Sequence, residues 1–204
     1  MTTSGTTTGR GRPRGTSKRE LELIAMRLFS DQGFDNTTVE QIAAAAGVSG
    51  RTFFRYFPTK AEVLWSRFDD EVANLRTAFA TVPEDEPMMT AVRRVVVNAN
   101  RYRAEDVPEL RTRMQLVATV PALAATAGAH YDAWERAVSA FAARRLGDTE
   151  DGLIPLAVGR TTLAAARAAF DAWLPRADAD LTVYLDQALA ALECGFAVGI
   201  GGTA

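Results

Sequence analysis

Apolar residues recur at spacings of three and four along almost the whole chain, and the alternation expected of a strand hardly appears. This spacing puts apolar side chains on one face of a helix, so the sequence predicts an all-α fold. The chain has 204 residues, enough for one large domain or two small ones. No run of about eighteen apolar residues occurs, which argues against a membrane-spanning helix.

Helix-capping residues divide the N-terminal part into short helices. Helix starts are predicted at four residues with capping side chains: Ser17, Thr38, Ser49 and Thr59. Three of them open the capping boxes S-K-R-E, T-V-E-Q and T-K-A-E. Gly47 tolerates the left-handed conformation and is expected to end the second helix. The helix that begins near Thr59 is expected to be long and to run to about residue 82.

Five more helices are predicted beyond the Pro- and acid-rich segment PEDEP at 83–87. Their predicted bounds are 88–103, 108–118, 121–146, 153–174 and 178–197. The last helix has the most regular apolar spacing, at Leu181, Leu185, Ala188, Leu192 and Phe196.

Charge is distributed unevenly along the chain. Residues 1–60 carry nine basic and five acidic side chains, a balance of +4, whereas residues 61–204 carry fourteen and twenty, a balance of −6. A basic head on an acidic body suggests that the head meets a polyanion. Much of the excess lies in the stretch RGRPR, for which a solvated, disordered terminus is the alternative interpretation.

The stretch GVSGRTFFRYFPTK at 47–60 combines four aromatic rings with two arginines and a lysine. Two short helices joined by A-G-V-S have the proportions of a helix-turn-helix. Its small core is predicted to contain Ile42, Ala43, Ala46, Val48, Phe53 and Phe57. The outward-facing residues are then Gly50, Arg51, Thr52 and Arg55.

These outward residues suit a DNA duplex. Arg51 is the predicted base reader, because a guanidinium pairs bidentately with guanine O6 and N7. Phosphate contacts are predicted for Thr38, Thr52, Tyr56 and Lys60. Of these, Thr38 and Lys60 are expected at helix N-termini, where backbone N–H groups favour a phosphate oxygen. Arg12 and Arg14, on a flexible arm, are expected to reach a neighbouring minor groove. The alternative is a helix-turn-helix that only packs within a helical bundle.

The segment TTVEQIAAAAGVSGRTFFRYFPTKAEVL resembles the DNA-binding domain of TetR-family repressors. These share the pattern T-[TV]-x-x-I-A-x-x-A-G-V-S-x-x-T-[LF]-[YF]-x-[YH]-F-x-x-K, and the match covers roughly residues 17–64. The resemblance implies an all-α homodimer of nine or ten helices. It also implies three parts: a flexible basic arm at 1–16, a DNA-binding helix-turn-helix at 17–60, and a ligand-binding and dimerisation domain at 61–204.

The same resemblance implies phosphate contacts by Thr38, Thr52, Tyr56 and Lys60, with residues 50–51 as variable base readers. The sequence departs from the family pattern at two positions. Phe54 replaces the first of the usual tyrosines, so one phenolic contact to phosphate is lost. Gly50 stands where a longer side chain is frequent, which assigns more of the base reading to Arg51.

A narrower resemblance covers FFRYFPTKAEVLWSRFD, VPALAATAGAHYDAWERAV and the last helix, which follows DADL. These segments are similar to regulators associated with mycofactocin clusters in actinobacteria. That similarity implies a response to long-chain acyl-CoA.

A ligand pocket in the body should combine apolar groups with a few polar ones. The candidates are Phe68, Met88, Met89, Asn100, Tyr102, Arg103, Arg113, Met114, His130, Trp134 and Phe141. Arg103 and Arg113 are expected to meet an anionic head group. For each residue the alternative is an ordinary core position, and for His130 a hydrogen-bonded core histidine.

Dimerisation is assigned to the helices at 153–174 and 178–197, which are expected to form a four-helix bundle with their symmetry mates. Cys194 lies in this region and is interpreted as a small packing residue. It cannot form an internal disulfide, and the N-terminus lacks an apolar signal region; both features predict a cytoplasmic protein.

Other function classes fit less well. One His and one Cys give neither a Cys/His metal cluster nor a Cys–His dyad, so no enzyme, metal site or cofactor is expected. An architectural DNA binder would need a larger basic surface and no acidic body. The sequence predicts a homodimeric repressor of a palindromic operator, released by a small hydrophobic or amphipathic ligand. An activator with the same fold is the alternative.

Overall fold

The computed structural model describes residues 16–176 and 179–195, and within them the chain is all-helical. These residues form nine α-helices and one short 3₁₀ helix, as the apolar spacing predicts. Contacts divide the chain into two compact units, Met1–Lys60 and Ala61–Ala204. Arg12, Arg14 and Phe196 lie outside the described residues.

The first unit contains α1 (Lys18–Gln32), α2 (Val39–Ala45) and α3 (Gly50–Tyr56). Their starts match the predicted caps. Ser17 Oγ accepts from the Glu20 amide at 3.1 Å. Thr38 and Gln41 form a reciprocal capping box, with hydrogen bonds of 3.2 and 2.7 Å. The Thr52 amide donates to Ser49 Oγ at 3.2 Å, so α3 begins at a capped, well-defined end.

The inner face of α3 packs into the core of the first unit through Phe53 and, just after the helix, Phe57. Phe53 is fully buried and Phe57 is 1% exposed, with ring centroids 5.5 Å apart. They join buried residues of the other two helices, namely Leu21, Ala25, Phe29, Ile42 and Ala43. Gly47 has φ 67°, the left-handed conformation that reverses the chain between α2 and α3. The predicted inward rings and the glycine turn are therefore confirmed.

The N-cap predicted at Thr59 lies two residues too early. The helix α4 (Glu62–Ala80) has Ala61 as its N-cap, and this residue supplies no side-chain hydrogen bond to the helix. The chain bends through residues 58–60. There Lys60 donates to the backbone carbonyls of Phe34 and Thr37, in the turn between α1 and α2. Because Ala61 already has helical φ and ψ of −65° and −35°, the helix starts without an extended capping residue.

The second unit continues from α4 with five further α-helices. They are α5 (Met88–Ala99), α6 (Val107–Thr119), α7 (Pro121–Leu146), α8 (Leu153–Trp173) and α9 (Leu181–Glu193). The 3₁₀ helix, Ala104–Asp106, precedes α6. The bounds of α5 and α9 differ most from those predicted, and α9 begins at Leu181 rather than at 178. α5 stops at Ala99, where the Asn100 side chain donates to the Val96 carbonyl at 2.9 Å, and α9 stops before Gly195 with φ 62°.

α4, α5, α7, α8 and α9 share one apolar core. Its largest buried members include Leu75, Phe79, Val96, Trp134, Phe141, Leu163, Trp173 and Leu185. None of the helices within the described ranges is long and apolar enough to cross a bilayer. Several of these core residues also line a cavity in the second unit, so the packing of the core positions the cavity walls.

Replacing Gly159 of α8 by alanine is expected to lower the free energy of unfolding by about 1–3 kcal/mol. A Cβ there would lie 2.3 Å from Ser139 Oγ and 2.7 Å from the Glu135 carbonyl oxygen on α7. The backbone oxygen cannot rotate away, so the two helices must separate. Urea unfolding followed by circular dichroism measures the change.

Gly128 supplies the matched control, because a Cβ at that helical position meets nothing within 4 Å. Gly128→Ala should raise stability by up to about 1 kcal/mol through helix propensity. A loss of the same size in both variants would contradict the close approach of α7 and α8.

Candidate DNA interface and ligand cavity

The outer face of α3 presents two guanidinium groups and one ring. Arg51, Phe54 and Arg55 are exposed, whereas Gly50 and Thr52 are half-buried. Positions three and four residues apart share a helix face, so Arg51 lies beside the other two. The arrangement gives a short, capped helix with a cationic surface held by a buried aromatic core.

Thr16, two residues before α1, is hydrogen-bonded beside α2 and α3. Thr16 Oγ1 donates to the Ala46 carbonyl at 3.1 Å, and the Tyr56 hydroxyl donates to the Thr16 carbonyl at 3.1 Å. The Arg55 guanidinium donates to the Tyr56 oxygen at 3.4 Å. A phenol has one proton to donate. Tyr56 therefore donates to a phosphate only by giving up its bond to Thr16.

Thr38 and Thr52, both predicted to contact phosphates, differ in the hydrogen bonds that their hydroxyl groups already make. Thr38 is exposed, and its Oγ1 accepts from the Gln41 amide at 3.2 Å, which leaves its proton for another acceptor. Thr52 is half-buried, and its Oγ1 lies 3.1 Å from Ser49 Oγ. Thr38 is therefore the better placed of the two to donate to a phosphate.

Lys60 does not lie at a helix N-terminus as predicted, since α4 begins two residues later. Its ammonium donates to the Phe34 and Thr37 carbonyls at 2.7 and 2.8 Å and lies 4.1 Å from the Phe34 ring centroid. Partial burial lowers its pKa. Two of its three N–H groups thus brace the turn between α1 and α2, and one remains for an outside acceptor.

In the second unit, α4, α6, α7 and α8 surround a cavity of about 490 Å³. Ligand pockets are typically roughly 300–1,000 Å³, so this cavity can hold a small molecule. Six of the residues predicted for the pocket line it: Phe68, Asn100, Tyr102, Arg113, Met114 and Trp134.

The other five predicted pocket residues lie elsewhere. Met88 and Met89 pack against the core away from the cavity. Phe141 is buried and stacks on the Phe79 ring at 4.5 Å. The Arg103 side chain is 76% exposed and pairs with Glu105. His130 stacks on Trp65 at 4.7 Å.

Glu71 is the main cavity residue that the sequence analysis missed. Its carboxylate accepts from the Tyr102 hydroxyl at 2.8 Å. Burial raises the pKa of Glu71, opposed by that hydrogen bond and by Arg67 and Arg113. Burial also raises the pKa of Tyr102. The position of Glu71 on the apolar stripe of α4, one turn from Phe68 and Leu75, was the available signal.

Arg113 is buried, and its guanidinium is engaged within the protein. It donates to the carbonyls of Val63 and Leu64 and to Glu109, the last at 2.9 Å. Its predicted contact with an anionic head group would compete with these bonds. Arg167 also lines the cavity but is exposed, with its guanidinium carbon 5.0 Å from the Tyr131 ring centroid.

The pH dependence of stability is expected to weaken when Glu71 is replaced by glutamine. Burial raises the pKa of Glu71 above the ordinary 4.5, so the folded protein keeps this proton where the unfolded chain releases it. The stabilisation is present below about pH 4.5 and is lost as the pH rises through the folded-state pKa. Urea unfolding at several pH values measures the slope.

Glu150→Gln, at an exposed carboxylate, is the control for this slope. Equal pH dependence of the two variants and the unsubstituted protein would show that Glu71 is not held in the low-dielectric cavity. The pH dependence that the other titrating groups contribute is common to all three proteins, so it cancels when their slopes are compared.

A His–carboxylate cluster lies outside the cavity lining. His130 Nδ1 is 2.8 Å from Asp69 Oδ1, and Nε2 is 3.7 Å from Glu62 Oε1. One ligand atom from each residue lies within 4.8 Å of the others. The two ring nitrogens face different carboxylates, so one ion cannot use both. These contacts fit hydrogen bonds and ion pairs that join α4 to α7 better than they fit a metal centre.

Comparison with known proteins relates both units to one family. Residues 24–65 match the family model of the bacterial regulatory proteins of the tetR family, and residues 86–197 match the MftR C-terminal domain. The chain is 29% identical to a Mycobacterium tuberculosis protein assigned as the mycofactocin biosynthesis transcriptional regulator MftR, over 91% of this chain and 93% of that one. It is 32% identical to the HTH-type transcriptional regulator TcmR of Streptomyces glaucescens, over 81% and 76% of the two chains.

Solved structures show the same fold at low identity. The fatty acid degradation regulator FadR of Bacillus halodurans gives a TM-score of 0.65 at 17% identity, covering 92% of this chain and all (100%) of that one. Thermus thermophilus FadR in complex with lauroyl-CoA gives 0.57 at 24% identity, covering 92% and 99%. From its helix-turn-helix unit and its MftR-type C-terminal domain, the chain belongs to the TetR family of bacterial transcriptional regulators.

Proposed function

We propose that this regulator binds a palindromic operator as a homodimer through α3 and represses transcription until a hydrophobic or amphipathic ligand releases it. The observation that carries the proposal is the exposed Arg51 face on a capped α3. As a DNA-binding regulator it would act in the cytoplasm. Its relatives are transcriptional regulators rather than enzymes.

Base reading is assigned to Arg51, with Gly50 beside it. A Cβ at Gly50 would meet nothing within 4 Å, so the backbone there leaves room for a base edge. Thr38 and the remaining N–H of Lys60 are proposed to contact phosphates, and Arg55 to add positive charge on the same face. Thr52 and Tyr56 join them only if their present hydrogen bonds exchange for phosphate.

The arm at 1–16 is proposed to follow the minor groove through Arg12 and Arg14. Support comes from Thr16, whose hydroxyl and carbonyl are both bonded beside α2 and α3. The chain therefore leaves the described part of the first unit next to the proposed reading helix. Residues 17–60 are assigned to DNA binding, and residues 61–204 to ligand binding and dimerisation.

Dimerisation is assigned to α8 and α9. Both helices expose large apolar side chains: Leu153 is 80% exposed, Ile154 54% and Val183 62%. Exposed apolar surface of this kind favours association with a second copy. TetR-family regulators bind DNA as dimers. Two copies of α3 in such a dimer must be about 34–36 Å apart to meet successive major grooves.

The ligand is proposed to place an apolar chain in the cavity between α4 and α8. The Thermus FadR structure contains lauroyl-CoA, and an acyl-CoA is the corresponding candidate here. Arg167 replaces Arg103 as the proposed partner of its anionic head group, because it lines the cavity and is exposed. α4 lines the cavity and begins two residues after Lys60, so a ligand that shifts α4 is proposed to change DNA binding.

Release of a bound operator by ligand tests this proposal. Fluorescence anisotropy with a labelled duplex should fall on addition of a medium- or long-chain acyl-CoA, and free coenzyme A should have no effect. Ala127→Trp, which fills the cavity from α7, should still bind DNA but resist release. Release of both proteins by the same acyl-CoA concentration would exclude the cavity as the ligand site. A reporter gene under the operator distinguishes repression from activation.

A further inference from the structure

Phe54 is an exposed aromatic residue on the proposed reading helix. Its side chain is 52% exposed, whereas the neighbouring Phe53 is fully buried and Phe57 is 1% exposed. Among the described residues, the other exposed large apolar side chains are aliphatic. Phe54 therefore contributes only part of its surface to the core of the first unit.

The ring of Phe54 is held in a defined orientation. It meets the Phe53 ring edge-on, with centroids 5.6 Å apart and an interplanar angle of 88°. Phe53 cannot move without disturbing the buried core, so its contact limits the rotamers of Phe54. The ring thus rests against the buried Phe53 ring while about half of Phe54 (52%) remains exposed on α3.

The exposed ring has no hydrogen-bonding group, so it cannot pair with a phosphate oxygen or with a polar atom of a base edge. In the major groove, the 5-methyl group of thymine is the apolar feature that a phenylalanine can contact. Phe54 is three residues after Arg51 on the same face. Their Cα atoms are separated by about 4.5 Å along the helix axis, and successive bases are about 3.4 Å apart.

We propose that Phe54 is a specificity-determining residue that packs on the 5-methyl group of a thymine one or two base pairs from the guanine read by Arg51. This inference rests on the proposed DNA binding through α3. It predicts that each half-site contains a guanine and a nearby thymine that contribute through separate side chains.

A double-mutant cycle between protein and DNA tests the contact. In the operator recovered with the unsubstituted protein, each thymine of one half-site is replaced in turn by deoxyuridine, which removes only the methyl group. One substitution near the guanine should weaken binding by about fourfold, the effect of one methyl group leaving an apolar contact. The same substitution should leave binding by Phe54→Ala unchanged.

Phe54→Tyr is the control that keeps the ring and the fold, and it should retain the sensitivity to deoxyuridine. Thymines in the flanking DNA should give no effect with any of the three proteins. Equal losses with the unsubstituted protein and Phe54→Ala, or no loss at any thymine, would overturn this inference alone. Failure of the unsubstituted protein to prefer any sequence would instead overturn the proposed function, and this inference with it.

Discussion

Arg113→Met is expected to lower the free energy of unfolding by about 3–5 kcal/mol, the cost of removing one partner from a buried ion pair. The guanidinium is only 6% exposed and donates to Glu109 and to two carbonyls in the first turn of α4. Its loss leaves Glu109 without its closest described cation and weakens the attachment of α4 to α6. Urea unfolding followed by circular dichroism measures the difference.

Arg94→Met is the matched control, because Arg94 is 47% exposed and pairs with Glu86 at 2.7 Å. A surface pair of this kind contributes about 0–1 kcal/mol. The double variant Arg113→Met with Glu109→Met should recover part of the stability lost by Arg113→Met alone, since the carboxylate that loses its closest described cation is removed as well. Equal losses at positions 94 and 113 would contradict a buried structural role for Arg113.

Arg51→Ala is expected to weaken operator binding by about 1–3 kcal/mol while leaving non-specific affinity nearly unchanged. The reason is that a bidentate arginine–guanine contact distinguishes one base from the others, whereas phosphate contacts do not. Fluorescence anisotropy with the operator and with a scrambled duplex, at several salt concentrations, measures both affinities. The specificity ratio should fall by roughly 5- to 150-fold.

Arg27→Ala, at an exposed position on α1, removes the same charge from a different helix. It should leave the ratio between operator and scrambled duplex unchanged. If Arg51→Ala weakened binding to both duplexes equally and made the salt dependence shallower, Arg51 would be a phosphate contact and the choice of base reader would be wrong.

Local sequence patterns were sufficient to predict the helices and the helix-turn-helix. Ser17, Thr38 and Ser49 each bond an amide within three residues, so the information that starts each helix is contained in the segment itself. The start of α4 is the exception, since its N-cap lies two residues past Thr59. There Lys60 donates to the carbonyls of Phe34 and Thr37, contacts between distant residues that no local pattern contains.

The cavity could be predicted only in part, because it depends on which faces of several helices meet. Tyr102 lines it and the adjacent Arg103 does not, a difference decided by the irregular chain after α5. Arg113 lines it, but its guanidinium is committed to the protein, which no spacing reveals. Glu71 interrupts an apolar stripe on α4, and that interruption was its only local sign.

The charged groups in the cavity lining also show why counting charges does not select a partner for a proposed anionic head group. The described lining contains three arginines and three carboxylates: Arg67, Arg113, Arg167, Glu71, Glu109 and Asp171. The formal charges of these six groups balance. Which group can bind an anionic head group therefore depends on the hydrogen bonds that each already makes within the protein. The exposed Arg167 is therefore a better candidate for an anionic head group than the buried Arg113.

The most direct test of the central claim is a binding selection on genomic DNA fragments with the purified full-length chain, followed by sequencing. The predicted result is a palindrome whose half-site centres are about 10 base pairs, or a multiple of that, apart. Each half-site should contain a guanine that the unsubstituted protein prefers and that Arg51→Ala no longer distinguishes from other bases. Recovery of no preferred sequence at any salt concentration would contradict the account and leave a helix-turn-helix that only packs.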